Sequence, residues 1–299
     1  MKKTKIETGI AILLVITLLM ISGKTAGAQS LGNSPVTTQA VLYSAEYPEA
    51  YIKTEIRSKT INSQDTFAVI ESTVFVEESY EYIDDSLIIT ESRLLSEPEV
   101  QSIGEDNFVS ITSGSRSTTY FTPVTIARAK LSITSYVHYT TNGTGITISC
   151  ESIAHWNTPG LIPLPINNPA AGEDIFGFAW YGYYSVSSHS CERTWNYFFD
   201  PDMLTSYVVQ PNVAFAYTFE EAMTINQATA YAEELDLNLT LQKNVLTGGG
   251  NEADLVMQYI HTYQTISGSL NLSYDSFGIT LNGVEKQWTL TSLFSGIPY

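Results

Sequence analysis

Apolar and polar residues alternate one by one along several stretches of this chain, and this period of two constrains the fold more than any other feature. The clearest example is a run of leucines separated by single polar residues: Leu235, Leu237, Leu239 and Leu241. Successive side chains of a β-strand point to opposite faces, so this run predicts a strand with one buried face. The same alternation predicts a strand at residues 212–219.

Turn residues between such stretches predict how the strands pair. Asn142-Gly143 separates the strand-like stretches 131–139 and 145–152, and Asn-Gly favours a two-residue hairpin turn. Closely spaced strands separated by short turns are also expected near the C-terminus, at residues 255–263, 270–274, 277–281 and 288–290. These patterns predict a mainly β chain, an antiparallel β-sandwich-like domain with a C-terminal meander.

Two segments do not follow the strand pattern. Residues 153–173 contain four prolines and little periodicity, which predicts a long loop. Thr218 precedes Glu221 by three residues, as in a helix N-terminal capping box, and alanines follow. The sequence therefore predicts at most one short helix, at residues 218–231.

The N-terminal segment has the composition of a secretory signal. Three lysines precede an apolar run from Ile10 to Ile21, and Ala26-Gly27-Ala28 follows. The run is shorter than the roughly 20 apolar residues of a spanning helix, so we expect a cleaved signal peptide at 1–28 and a secreted chain. Residues 29–119 form an acidic region, interpreted as a separate subdomain or a pro-region, and 120–299 form the main β domain.

The charge restricts the classes of partner. The chain has 31 acidic and 14 basic residues, for a net charge of −17. Removing residues 1–28 would take away four lysines and one glutamate, which leaves the remainder more acidic still. Nucleic acids and anionic lipids bind cationic surfaces, so neither is an expected partner. After signal cleavage no stable membrane anchor is expected.

Cys150 and Cys191 are the only cysteines. Outside the cytosol two such thiols normally oxidise, so the sequence predicts a Cys150–Cys191 disulfide. The alternative is a zinc site that adds His155 and His189, although the spacings are not those of zinc fingers.

No motif with catalytic chemistry stands out, and no catalytic residue is predicted. H-E-x-x-H and G-x-S-x-G are absent from the sequence, and each of the four histidines is interpreted as a hydrogen-bonded strand residue. No cofactor or metal is predicted. Calcium is the cation to consider, because it prefers oxygen ligands. Its candidate ligands are Asp84-Asp85, Asp200 with Asp202, and Asn251, Glu252 and Asp254.

Aromatic residues are concentrated between Phe176 and Phe199, where they make up ten of 24 positions. Flat rings on a β surface stack on sugars or anchor protein partners, whereas the same residues inside a sheet fill the core. The proposed recognition patch consists of Trp180, Tyr181, Tyr183, Tyr184, Trp195 and Tyr197.

Three functions follow from these observations. The sequence favours a non-enzymatic extracellular or cell-surface protein that binds a protein or glycan ligand. One alternative is a secreted hydrolase that cleaves a glycan with paired carboxylates. The other is a membrane-perturbing toxin that inserts the Ser/Thr-rich hairpin around Asn142-Gly143.

Overall fold

The structure, a computed structural model, consists almost entirely of antiparallel strands, as the alternating pattern predicts. The described residues are 37–43, 47–62, 65–83, 86–108, 111–112, 124–141, 145–157, 173–195, 200–220, 222–225, 228–244, 252–262, 270–273, 278–281 and 287–298. Residues 1–36, the predicted signal peptide included, lie outside them. In the part of the chain that is described, no helix has the length and apolar character needed to cross a membrane.

The larger of the two main sheets has ten strands. Numbered in chain order, they are β2 (Ile52–Asn62), β3 (Asp65–Ile83), β4 (Ser86–Leu94), β5 (Ile111–Thr112), β6 (Val124–Thr141), β7 (Ile146–Asn157), β9 (Ser185–Trp195), β10 (Asp202–Met203), β13 (Ala222–Ile225) and β14 (Ala228–Lys243). Seven run side by side in the order β10-β9-β14-β7-β6-β3-β2. The strand β3 has 19 residues and is about 60 Å long.

The smaller main sheet has six strands. They are β1 (Thr37–Tyr43), β8 (Asp174–Trp180), β11 (Tyr207–Gln210), β12 (Ala214–Phe219), β15 (Glu252–Thr262) and β18 (Gln287–Pro298). Their order is β1-β18-β15-β8-β12-β11. The remaining strands, β16 (Leu270–Ser273) and β17 (Gly278–Leu281), form a separate hairpin. The C-terminal meander is present, with β15 and β18 pairing around this hairpin.

The core lies between the inner faces of the two sheets. The leucine run of β14 is buried there, at residues 235, 237, 239 and 241, as predicted. Opposite it are large side chains of the six-stranded sheet: Phe176, Phe178, Phe215, Tyr217, Met257, Trp288 and Phe294. The hairpin of β6 and β7 is also confirmed, with Thr141 opposite Ile146, while its Asn142-Gly143 turn lies outside the described residues.

The strand β8 is buried along its whole length because its second face is covered as well. Small residues, among them Gly177, Ala179 and Ala216, form the outer face, and Ile279 of the β16–β17 hairpin packs in the same cluster. Gln258 extends the contact, since its side-chain oxygen accepts a hydrogen bond from the Ile279 amide. A Cβ at Gly177 would lie 2.5 Å from both the Ala216 Cβ and the Phe215 carbonyl oxygen, so only glycine fits here.

The helix predicted at residues 218–231 is wrong. Residues 222–225 form β13, which pairs with the start of β14, so that Ile225 lies opposite Ala228. The one α-helix of the described residues, α1 (Glu97–Ile103), follows β4 instead. Its capping box joins Ser96 to Glu99, whose carboxylate accepts hydrogen bonds from the Ser96 amide (2.9 Å) and hydroxyl (2.6 Å).

The loop predicted at residues 153–173 begins later than expected. Residues 153–157 continue β7, where Trp156 lies opposite Leu131 of β6. Residues 158–172 lie outside the described part of the chain. The sheet pairing therefore extends the strand past the point where alternation alone predicts its end.

The predicted Cys150–Cys191 disulfide is wrong: both cysteines are free and buried. Cys150 lies on β7 opposite Leu239 of β14, and Cys191 lies on β9 opposite Leu237, on the other side of the same strand. Neighbouring strands are about 4.8 Å apart, so two strand steps separate the cysteines by roughly 10 Å. A disulfide requires Cα atoms closer than about 7 Å.

The zinc alternative is not realised either. His155 is five residues from Cys150 on the same strand, so it points to the opposite face and lies 3.4 Å from Glu234. His189 shares a hydrogen bond with Tyr217. Burial raises the pKa of both thiols, that of Cys191 to about 12, which keeps them protonated and unreactive.

Strands from both sides of residue 120 pair with each other. The strand β3 pairs with β6 over 17 consecutive positions, and β1 pairs with β18. Residues 113–123, where the predicted domain boundary falls, lie outside the described part.

Candidate functional site

Two regions combine unusual chemistry with defined geometry: a polar network inside the core, and a set of exposed apolar residues that includes those of the edge strand β11. The network contains the residues that enzymes use for proton transfer. The set contains the exposed members of the aromatic segment.

The network is centred on Asp174, the first residue of β8, which is 1% exposed. Its carboxylate accepts a hydrogen bond from the Tyr259 hydroxyl at 2.6 Å and another from the Thr262 amide at 2.9 Å. His261 Nδ1 lies 3.1 Å from the same carboxylate. The two donated hydrogen bonds and the adjacent His261 ring nitrogen compensate for the water that burial removes from the carboxylate.

The network continues into the ten-stranded sheet through His261. Its Nε2 atom lies 3.3 Å from the Glu78 carboxylate of β3. Glu78 also accepts a hydrogen bond from the Ser92 hydroxyl of β4 at 3.4 Å. Because Asp174 belongs to one sheet and Glu78 to the other, His261 joins the two layers through two carboxylates.

Aromatic rings enclose this network. Trp156 donates its indole hydrogen to the Tyr259 hydroxyl at 2.9 Å, and its ring centroid lies 5.7 Å from that of His261. The Trp288 ring lies 5.0 Å from His261 on another side. The exposed fraction of the His261 side chain is 0% and that of Glu78 is 9%, so a substrate cannot reach either group in this conformation.

Sequence patterns missed this network although a signal for it exists. His261 shares the phase of Leu255, Met257 and Tyr259, all buried, which predicts an inward-facing histidine. Glu78 likewise shares the phase of Val74 and Val76. The four histidines all lie on strands, as the sequence predicts: His138, His155, His189 and His261.

The six residues of the predicted aromatic patch are divided by the structure. Trp180, Tyr184 and Trp195 are buried, so they belong to the packing of the molecule. Tyr181 and Tyr183 are 44% and 71% exposed. Tyr197 lies outside the described residues.

The exposed tyrosines belong to a larger apolar surface. All the exposed large hydrophobic residues of the described chain fall between positions 181 and 209. We call them the edge surface: Tyr181, Tyr183, Met203, Tyr207, Val208 and Val209. Tyr181 and Tyr183 lie on the β8–β9 connection, Met203 on β10 and the other three on β11; β10 and β11 are each the last strand of their sheet.

Aromatic rings of β9 and β12 pack against Tyr207 and fix the position of this part of the edge surface. His189 of β9 shares a 2.7 Å hydrogen bond with the Tyr217 hydroxyl, and its ring centroid lies 5.0 Å from that of Tyr207. The Tyr207 ring also stacks on Phe215 at 5.2 Å. Burial raises the pKa of Tyr217 to about 12, so its hydroxyl stays protonated.

A bidentate ion pair positions the start of the same segment. Arg193 of β9 donates to both carboxylate oxygens of Asp202, at 3.0 and 2.6 Å, and its guanidinium carbon lies 4.1 Å above the Trp195 ring. The hydrogen bonds from Arg193 lower the pKa of Asp202. Asp202, which the sequence suggested as a calcium ligand, is paired with Arg193 instead.

The other calcium candidates form no cluster as far as they belong to the described residues. Asp84-Asp85 and Asn251 lie outside the described residues, and Glu252 and Asp254 belong to β15. Within the ranges that the structure describes, no three His, Cys, Asp or Glu residues are grouped as metal ligands would be.

Comparison with known proteins adds no function. No protein-family model matches the chain, and no curated protein matches it either.

Proposed function

We propose that this chain is a secreted, non-enzymatic protein that binds a ligand outside the cell through its edge surface. The observation that carries the proposal is that all the exposed large apolar residues of the described chain fall within one segment, between positions 181 and 209. Contiguous exposed apolar groups are costly in water, and proteins retain them mainly where a partner covers them. Tyrosine is especially suited to this, because it combines a large apolar ring with a polar hydroxyl.

The polar network favours binding over hydrolysis as the role of the molecule. A glycosidase needs two carboxylates on either side of an accessible bond. Asp174 and Glu78, the carboxylates beside His261, are buried, and the rings of Trp156 and Trp288 pack against His261 itself. Their geometry supports a structural role in joining the sheets.

The test compares the chain with a Tyr181→Ser, Tyr183→Ser double variant on a glycan array and a peptide array. The control variant is Tyr136→Ser, which changes a half-buried tyrosine on the outer face of β6. We expect binding to one class of ligand that the double variant loses and the control variant keeps. Equal binding by all three proteins would show that the edge surface is not the binding site.

A further inference from the structure

Within the described part of the chain, the outer edge of β11, in the edge surface, pairs with no further strand. The strand β11 is the last strand of the six-stranded sheet and pairs only with β12 among the described residues. All four of its residues are exposed, and none of them is charged or a proline. Charged residues and prolines are the usual means by which proteins prevent pairing at such an edge.

The register shows which main-chain groups face outward. The Thr218 amide donates to the Ser206 carbonyl, so the even-numbered residues of β12 bond toward β11. The Trp180 amide donates to the Val213 carbonyl, so the odd-numbered residues bond toward β8. Hydrogen-bonded pairs alternate in an antiparallel ladder, so Tyr207 and Val209 point their N–H and C=O groups away from β12.

The surrounding charge indicates the chemistry of the partner. Glu220 is exposed directly after β12, at the end where Tyr217 pairs with Tyr207, and Asp200 is exposed just before β10. Arg193, the basic residue at this end, is engaged with Asp202 and with the Glu220 carbonyl. The whole chain has a net charge of −17, so a second copy would be repelled, whereas a cationic segment would be attracted.

We infer that β11 binds an extended, lysine- or arginine-bearing segment of a partner protein, which adds as a seventh strand to the six-stranded sheet. This rests on the proposed function and specifies its ligand. The partner's backbone pairs with Tyr207 and Val209, and its apolar side chains pack on the exposed rings and valines. Its basic residues lie near Asp200 and Glu220.

A matched pair of variants at one position separates main-chain pairing from side-chain contact. Val209→Pro removes an N–H that faces away from β12, so the existing ladder keeps its hydrogen bonds. Val209→Thr keeps that N–H and the β-branched shape. The probes are two synthetic peptides of alternating Thr and Val, one flanked by lysines and the other by glutamates.

Fluorescence anisotropy measures the affinity of each peptide at low and high salt. We expect the lysine peptide to bind at least about tenfold more tightly than the glutamate peptide at low salt, with the difference shrinking as salt is added. Val209→Pro should weaken binding at least about tenfold, and Val209→Thr by less than about threefold. Unfolding midpoints of both variants serve as the control for stability.

Equal affinity for the two peptides, or undiminished binding by Val209→Pro, would overturn the inference. A dimer in sedimentation experiments that Val209→Pro dissociates would overturn it too, because the occupant would be a second copy. If neither peptide binds while Tyr181→Ser, Tyr183→Ser still loses its array ligand, strand addition is wrong and the proposed function stands.

Discussion

The polar network and the edge surface both depart from the usual distribution of residues, in which charged groups are exposed and apolar groups are buried. The network places carboxylates and a histidine in the core, where each acquires partners from the other sheet or from neighbouring strands. The edge surface places tyrosines and valines in solvent. Buried polar groups that have partners stabilise a unique arrangement of the core, whereas exposed apolar groups do not stabilise the free molecule. We therefore expect changes in the network to lower stability and changes in the edge surface to affect the proposed binding instead.

The largest effect is expected from breaking the network at its centre. Asp174→Asn replaces the carboxylate that accepts hydrogen bonds from Tyr259 and the Thr262 amide. We expect a loss of about 3–5 kcal/mol in the free energy of unfolding, measured with urea, because the buried partners lose their charged acceptor. Glu173→Gln is the control, since it changes the neighbouring exposed carboxylate and should alter stability by less than about 0.5 kcal/mol. Similar small effects from both variants would contradict a stabilising network.

The second-largest loss of stability is expected at Gly177, on the outer face of β8, where β12 packs closely. Gly177→Ala should cost about 3 kcal/mol, since the new methyl group meets the Ala216 Cβ and the Phe215 carbonyl oxygen. The double variant Gly177→Ala, Ala216→Gly removes one of these two clashes and should recover part of the loss. Thermal and urea unfolding of both proteins would measure this. An unchanged midpoint in Gly177→Ala would contradict the close approach of β8 and β12 at this position.

A smaller effect is expected at Glu77, between the core and solvent. Burial alone would raise the pKa of Glu77, but hydrogen bonds from Arg93 (2.8 Å) and Arg128 (3.0 Å) outweigh it and lower the pKa. The stabilisation is therefore present above the pKa of the unfolded carboxyl and is lost as pH falls through the lower, folded value. Glu77→Gln should cost about 2 kcal/mol near neutral pH, and the difference from the native chain should vanish in acid.

Glu71→Gln provides the comparison for Glu77. Its partner Arg57 lies at 3.2 Å, and both side chains are well exposed, so this pair should contribute at most about 1 kcal/mol. Urea unfolding over a series of acidic pH values would distinguish the two glutamates. A pH-independent difference at Glu77 would contradict the assignment of its stabilising role to the carboxylate charge.

The smallest effect is expected for the cysteines, whose reaction with a thiol reagent measures how far the reagent can enter the core. Cys150 and Cys191 should not react with a thiol reagent in the native protein, because both are buried and burial raises their pKa. In denaturant, without reductant, two thiols per chain should react. If denaturation released no thiol, the two sulfurs would be bonded to each other and the order β9-β14-β7 would be wrong.

Local patterns predicted the strands better than their arrangement. The alternating leucines of β14 and the hairpin of β6 and β7 could be predicted because burial of one face determines which residue types occur there. The segment 222–231 has helical signals, but pairing of β13 with β14 supplies hydrogen bonds that no local propensity reveals. The disulfide prediction failed because sequence does not show that β14 lies between the two cysteines.

The two candidate sites also differ in how far they could be predicted from the sequence. The aromatic segment was found from composition, but which rings are exposed depends on packing: Trp180 and Tyr184 turn inward while Tyr183 faces solvent. The network joins residues from β3, β8 and β15 that are up to 183 positions apart in the sequence, between Glu78 and His261. Glu78 also lies in an acidic run typical of solvated strands, so its burial could not be predicted from charge.

The pairing of β1 with β18 has a consequence for the timing of folding. The two strands are aligned from Thr37 opposite Ser295 to Tyr43 opposite Thr289, with almost the whole described chain between them. The six-stranded sheet therefore stays incomplete during synthesis until β18 has left the ribosome. Contacts between such distant positions form slowly, so the emerging polypeptide remains open for an extended period. Translocation machinery that threads unfolded polypeptides would find this chain in a suitable state.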